Sequence, residues 1–264
     1  MCFHLHDRSA TLGMARRTAG MTDAIRTAAP KGADAEKPRS RAERRKNADR
    51  SAATRRLILE ATIRCLDAWG YGAVTNIKVA DEAGVSRGAM MHHFPTRQAL
   101  IVATVEHAHE TLSEYRRTEL AKFPAGLPRF RAIVDMAIVT QRMPEGVACN
   151  EIRFGSRSDP EIRTAVTPTA SFISDEYGRL VSRIAREAGL TPNRELQALT
   201  ATMAMAARSL AISTFTYPRG NIEESVLWMI RNIREDIIAR QLGEAAAERP
   251  APLPDIRKPK VQID

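Results

Sequence analysis

The sequence predicts an all-α protein, a three-helix head followed by a helical-bundle body, and three observations lead there. Apolar residues return every three or four positions from Leu57 to Ile237, which places them on one face of successive helices. No stretch shows the two-residue alternation of a half-buried strand. Glycines and prolines fall mostly between the periodic stretches, at Gly70, Gly72, Gly84, Pro95, Pro144 and Gly189.

Residues 1–50 lack periodicity and are rich in Ala, Arg, Ser, Thr and Lys, so they read as a disordered basic extension with a cluster RSRAERRK at Arg39–Lys46. Met14 and Met21 are alternative starts within it. Such a segment either stays solvated or serves as an arm on a nucleic-acid backbone or minor groove. Residues 51–100 form the head. Its first helix runs from Thr54 to Trp69, with Leu57, Ile58, Ala61, Cys65, Leu66 and Trp69 on the helical period. Thr75 is an N-cap for a short helix carrying Ile77, Val79, Ala80 and Ala83. Gly84 supplies the left-handed residue that stops it. Ser86 caps a second short helix almost at once, so the two helices must cross steeply. A Gly-containing turn of this length between two such helices is the helix-turn-helix signature, and its second helix fits the DNA major groove.

Residues 101–242 form the body. A long helix from Arg97 to about Lys122 enters it after the Thr96 cap, burying Leu100, Ile101, Thr104, Ala108, Leu112 and Tyr115. Helices follow around Phe130–Ile138 and Val147–Phe154. The next starts at Asp159-Pro160, is interrupted at Pro168 and closes at Gly189. Thr191-Pro192 then caps a helix with Leu196, Leu199, Met203, Ala207 and Leu210, and Ile222, Val226, Met229, Ile230, Ile233 and Ile237 mark the last. Residues 243–264 are rich in Ala, Glu and Pro and read as a disordered tail.

Charge alone does not identify a partner. The chain of 264 residues carries 40 Lys+Arg and 31 Asp+Glu, a net charge of +9, but residues 1–50 hold 12 and 6 of these. Most of the excess therefore lies in the extension, and the rest is nearly balanced. Cys2, Cys65 and Cys149 form no CxxC pair, which argues against a disulfide scaffold or a structural zinc site. With neither a membrane-length apolar run nor a secretion signal, the expected setting is cytoplasmic.

On the residues LILEATIRCLDAWGYGAVT and VADEAGVSRGAMMHHFPTRQAL, the stretch from Arg55 to Leu100 resembles the N-terminal domain of the TetR/AcrR family of bacterial transcriptional regulators. The block EIRFGSRSDPEIR (Glu151–Arg163) is similar to a ligand-domain segment of some members. The resemblance implies nine helices, three in the head and six in an effector and dimerisation body. It also implies a homodimer whose last two helices form a four-helix bundle. Ala201, Ala204, Ala207 and Ala211 allow close helix approach there and the Ile222–Ile237 stripe supplies bulk opposite, although both stripes could instead pack within one subunit. Two-fold symmetry matches a palindromic double-stranded operator.

By resemblance, base edges are met by Arg87, Gly88 and Met91. Arg87 can offer two donors to guanine, worth about 1–3 kcal/mol of discrimination. Met91 stands where relatives commonly have tyrosine, so this head offers a thymine methyl an apolar contact instead of a phenol to the backbone. Phosphate contacts are expected from Thr75, Lys78, His92 or His93, and Arg97. In the body Met136, Phe154, Phe172 and Tyr177 are candidate pocket residues for an unknown small-molecule effector, though each also suits ordinary core. The expected function is a sequence-specific regulator, a repressor released by its effector. The rivals are a non-specific basic DNA-binding protein and a helical enzyme. No nucleophile elbow, P-loop, dinucleotide fingerprint or HExxH supports an enzyme. No cofactor is expected, and Cys2, His4 and His6 are only a loose metal-binding possibility.

Overall fold

In a computed structural model, which describes residues 41–216 and 221–249, helix α1 (Arg41–Ala73) opens the head and α2 (Asn76–Ala83) and α3 (Arg87–His93) complete it. The body follows as α4 (Arg97–Leu120), α5 (Leu127–Arg142), α6 (Pro144–Gly155), α7 (Pro160–Glu187), α8 (Arg194–Thr216) and α9 (Asn221–Leu242). The described residues contain no strand. Contacts divide the chain after Arg44, and Arg45–Asp264 is one unit holding both head and body.

The first helix starts well before the expected Thr54. Residues 41–50, assigned to the disordered extension by sequence, are helical. They are Ala, Arg, Glu, Lys, Asn and Asp with no Gly or Pro, so helix forms there on propensity without an apolar face. Residues 1–40, with Met14, Met21, Cys2, His4 and His6, lie outside the described residues. At its other end α1 breaks at Gly70, where φ is +71°. That left-handed conformation is open to glycine at little cost. Of the predicted face, Ile58, Ala61, Cys65 and Leu66 are buried, whereas Leu57 and Trp69 are about half exposed.

Two clusters build the core. The first joins Ile58, Leu66, Val79, Met90 and Phe94 of the head to Leu100 and Ile101 of α4 and continues into Ala148, Ile152, Ile162 and Val166 of α6 and α7. The head therefore does not end in a polar seam; its core runs on into the body. The second gathers Phe130 and Ile133 of α5, Val181 and Ile184 of α7, Met203 of α8 and Ile237 of α9.

Three further expectations are corrected. Helix α7 is continuous through Pro168. The proline and Thr164, whose carbonyl loses its i+4 partner, are both exposed, so water can take the unmade bond. Asn193, not Thr191, caps α8, its Oδ1 accepting the Leu196 N–H at 3.0 Å. Residues 243–249, assigned to the disordered tail, fold back on the body. A single 3-10 turn (Glu244–Ala246) leads to Glu248, whose N–H donates to Glu235 Oε2 at 2.9 Å. Residues 250–264 lie outside the described residues.

Candidate functional site

The head presents its two short helices through local bonds that the sequence encodes directly. Thr75 is extended, and its hydroxyl accepts the Lys78 N–H at 3.3 Å. Helix α2 ends in a Schellman arrangement: Val85 N–H donates to Ala80 O at 3.0 Å and Gly84 N–H to Asp81 O at 3.1 Å, with Gly84 at φ +65°. Ser86 Oγ then accepts the Ala89 N–H at 3.1 Å and starts α3. Behind the pair, Arg64 Nε donates to Glu82 Oε1 at 2.7 Å, tying α1 to α2.

Thr75, Lys78, Arg87, Gly88, Met91 and His92 are all exposed. Arg87 makes no hydrogen bond or ion pair among the described residues. A Cβ on Gly88 would meet only Ser86 Oγ, at 3.9 Å, so nothing among the described residues demands glycine there. Asn76 Nδ2 lies 4.0 Å from Met91 Sδ, which brings the start of α2 and the middle of α3 to one face. Lys78 sits with Nζ 5.3 Å from the centre of the half-exposed Trp69 ring. Sequence reasoning passed over Asn76 and Trp69. Asn beside the Thr75 cap was the available signal for the first; the second was read as core.

Two proposed phosphate contacts have different surroundings. His93 is partly covered, and burial, then His92 and Arg55, hold its imidazole below the usual histidine value. These surroundings favour the neutral imidazole. Arg97 is turned inward. Its guanidinium donates to Val74 O at 2.7 Å and Tyr71 O at 3.4 Å and stacks 4.7 Å from the Tyr71 ring centre. These are the carbonyls left over where α1 ends, so Arg97 closes the head from behind. Arg97→Met is expected to cost about 1.5–3 kcal/mol in urea denaturation, the range for bonds to a charged group. An unchanged midpoint would contradict this placement.

Tyr71 joins head to body. Its N–H donates to Glu151 Oε2 at 2.9 Å and its hydroxyl to Asp159 Oδ2 at 3.0 Å, while its ring lies directly against Gly155. Asp159 also caps α7, and the Ile162 N–H, then the Tyr71 hydroxyl, hold its carboxyl below the usual range against partial desolvation. Gln98 Nε2 donates to Glu161 Oε2 at 2.6 Å beside this seat. Any shift of α6 or the start of α7 is therefore felt at the end of α1.

The residues proposed for the pocket separate. Phe172 and Tyr177 line an open cleft of about 1330 Å³ along α4 and α7. Met136 instead packs in the second core cluster, and Phe154 stands exposed at the end of α6. Desolvation raises the Tyr177 phenol to about 12, and its hydroxyl donates to Ile133 O at 3.4 Å. The same effect raises the Cys149 thiol to about 11. Among the described residues no group of His, Cys, Asp and Glu could hold a metal ion, and no helix is long and apolar enough to cross a membrane.

Residues 58–104 match the family model described as bacterial regulatory proteins, tetR family. The head is therefore a TetR-family domain. The chain is 40% identical over 79 residues to the HTH-type transcriptional regulator CymR of Pseudomonas putida, covering 30% of this chain and 39% of that protein. It is 30% identical over 111 residues to the HTH-type transcriptional regulator BetI of Burkholderia lata, covering 40% of this chain and 56% of that one. The chain thus spans between 39% and 56% of the length of these relatives. The fold of head and body together is matched in solved structures. A putative TetR-family regulator from Rhodococcus sp. aligns with a TM-score of 0.56 at 17% identity, over 70% of this chain and 99% of that one. A putative regulator from Saccharomonospora viridis in complex with choline aligns with a TM-score of 0.55 at 21% identity, over 71% and 96%. These likenesses establish the all-α fold with its helix-turn-helix head.

Proposed function

We propose that this chain is a sequence-specific transcriptional regulator of the TetR family, and that two copies place α3 in successive major grooves of a palindromic operator. The observation that carries the reading is Arg87. It is an exposed guanidinium with no partner among the described residues, at the first turn of a helix that is capped, Gly-punctuated and backed by a buried core. Gly88 beside it leaves room for close approach, and Met91 offers an apolar contact. Thr75, Lys78, His92 and His93 flank them as phosphate contacts.

A second copy has a surface to meet. Met205 and Ile212 on α8 and Ile222, Met229 and Ile233 on α9 are exposed apolar residues, whereas Ile230 and Ile237 of the same α9 face inward. Helix α9 thus has two apolar faces and uses one for its own core. The body is read as the sensor, with repression lifted when a small molecule in the α4–α7 cleft favours the state that grips DNA poorly. The choline-bound relative supports a ligand-holding body of this architecture. A cytoplasmic setting fits this role.

The test is footprinting. A discrete two-fold protected site is expected, and Arg87→Ala is expected to relax preference at one base pair per half-site by about 1–3 kcal/mol. Coating in proportion to DNA length, or equal loss on every sequence, would overturn the base-reading role.

A further inference from the structure

Two arginines are buried among the described residues, and only one of them has a partner for its charge. Arg234 lies 2.8 Å from Glu235. Arg116 on α4 is 8% exposed, and no carboxylate stands within ion-pair distance of it among the described residues. One of its terminal nitrogens donates to Ser113 Oγ at 2.9 Å, and its guanidinium carbon lies 5.5 Å from the Tyr177 ring centre. Its Nε is buried with no hydrogen-bond partner. Burying a cation without a counter-charge is costly, and a guanidinium with five donors is built to receive a planar anion.

Arg116 lines the α4–α7 cleft, and the acids around it are engaged or solvated. Glu176 accepts from His109 at 2.6 Å, Glu187 lies 3.5 Å from Arg129, and Glu114 pairs with Arg117. Glu106 and Glu110 are exposed. The buried charge is therefore a single positive one, with Arg179 and Arg183 exposed along the same cleft, and it is flanked by the apolar walls of Leu120, Phe172, Ile173, Tyr177, Leu180 and Ile184. One guanidinium balances one negative charge. A carboxylate matches it, whereas a phosphomonoester brings nearly two charges at neutral pH. A cation would meet Arg116 head-on.

We propose that the cleft takes an organic acid with an aromatic or alkyl body, its carboxylate on Arg116 and its apolar part against Phe172 and Tyr177. This rests on reading the body as the sensor and names the class of ligand it senses.

The test uses the full chain and three probes in calorimetric titration: 2-naphthoate, its neutral amide 2-naphthamide, and choline. The naphthoate is expected to bind at least about ten-fold tighter than the amide, in line with a charge-assisted pair. R116M is expected to erase that preference, R116K to retain part of it, and F172A to weaken both naphthyl probes alike. Should R116M fail to fold, R116K and F172A still carry the comparison. Equal binding of acid and amide, a preference for choline, no binding of the naphthoate, or an undiminished preference in R116M would each overturn the proposal. Adding the same probes to the operator complex separates the two readings. Naphthoate that binds without releasing DNA removes the sensing role and leaves the site; release by the amide alone removes the site and leaves the sensing role.

Discussion

Replacing Glu235 with alanine is expected to destabilise the protein by about 3–5 kcal/mol, the cost of breaking a buried charge network from one side. Glu235 is fully buried (0% exposed). Its Oε1 accepts from Arg131 Nε at 3.1 Å and Arg234 Nε at 2.8 Å; its Oε2 accepts from Arg131 at 2.8 Å and the Glu248 N–H at 2.9 Å. Removing the carboxylate leaves Arg234 buried with Asp135, 3.5 Å away, as its remaining acid, and removes one of the ties that hold the returning 243–249 segment. Urea and thermal unfolding read the loss directly, and a change under about 1 kcal/mol would contradict the network's role. The pH dependence has a definite sign. Burial by itself would raise the Glu235 carboxyl, but the bonds from Arg131, the Glu248 N–H and Arg234 together hold it below the usual value. A carboxyl lowered in the folded state adds stability above its unfolded value, about 4.3, and loses it as pH falls through the lower folded value. Acid unfolding is therefore expected below about pH 4, and Glu235→Gln should flatten that limb.

Gly155→Ala is expected to unseat the head. A methyl on Gly155 would fall well inside the Tyr71 ring, whose backbone and hydroxyl are fixed at Glu151 and Asp159. The ring cannot yield without breaking those bonds and its stack with Arg97. Overpacking of this kind costs about 1–3 kcal/mol, and the broken bonds add to it. Because the displaced group ends the first helix of the head, operator affinity is expected to fall together with stability. The decisive measurement is a double-mutant cycle. Gly155→Ala should cost much less in a Tyr71→Ala background, because the clash is then gone. Additive effects would mean that Gly155 is required for some reason other than the Tyr71 ring.

The sequence by itself determined the parts of this protein that depend on near neighbours. Thr75, Ser86 and Thr96 each accept the N–H three residues on, and Gly84 closes its turn within one helical step, so all four were legible from residue type and order. The periodic faces of α1 and α4 were legible for the same reason, and with them the exposed first turn of α3. Tertiary structure decided where a polar side chain spends its bonds. Arg97 looked like a phosphate ligand from its place at the start of α4, yet its partners are carbonyls 23 and 26 residues away. Tyr71 reaches acids 80 and 88 residues on, and Arg131 finds Glu235 across 104. The same holds for Met136 and Phe172, two apolar residues that sequence treats alike and the fold sends to a core and a cleft. A helix constrains its own next turn through backbone bonds, whereas a long side chain is committed only when packing brings a distant partner within reach.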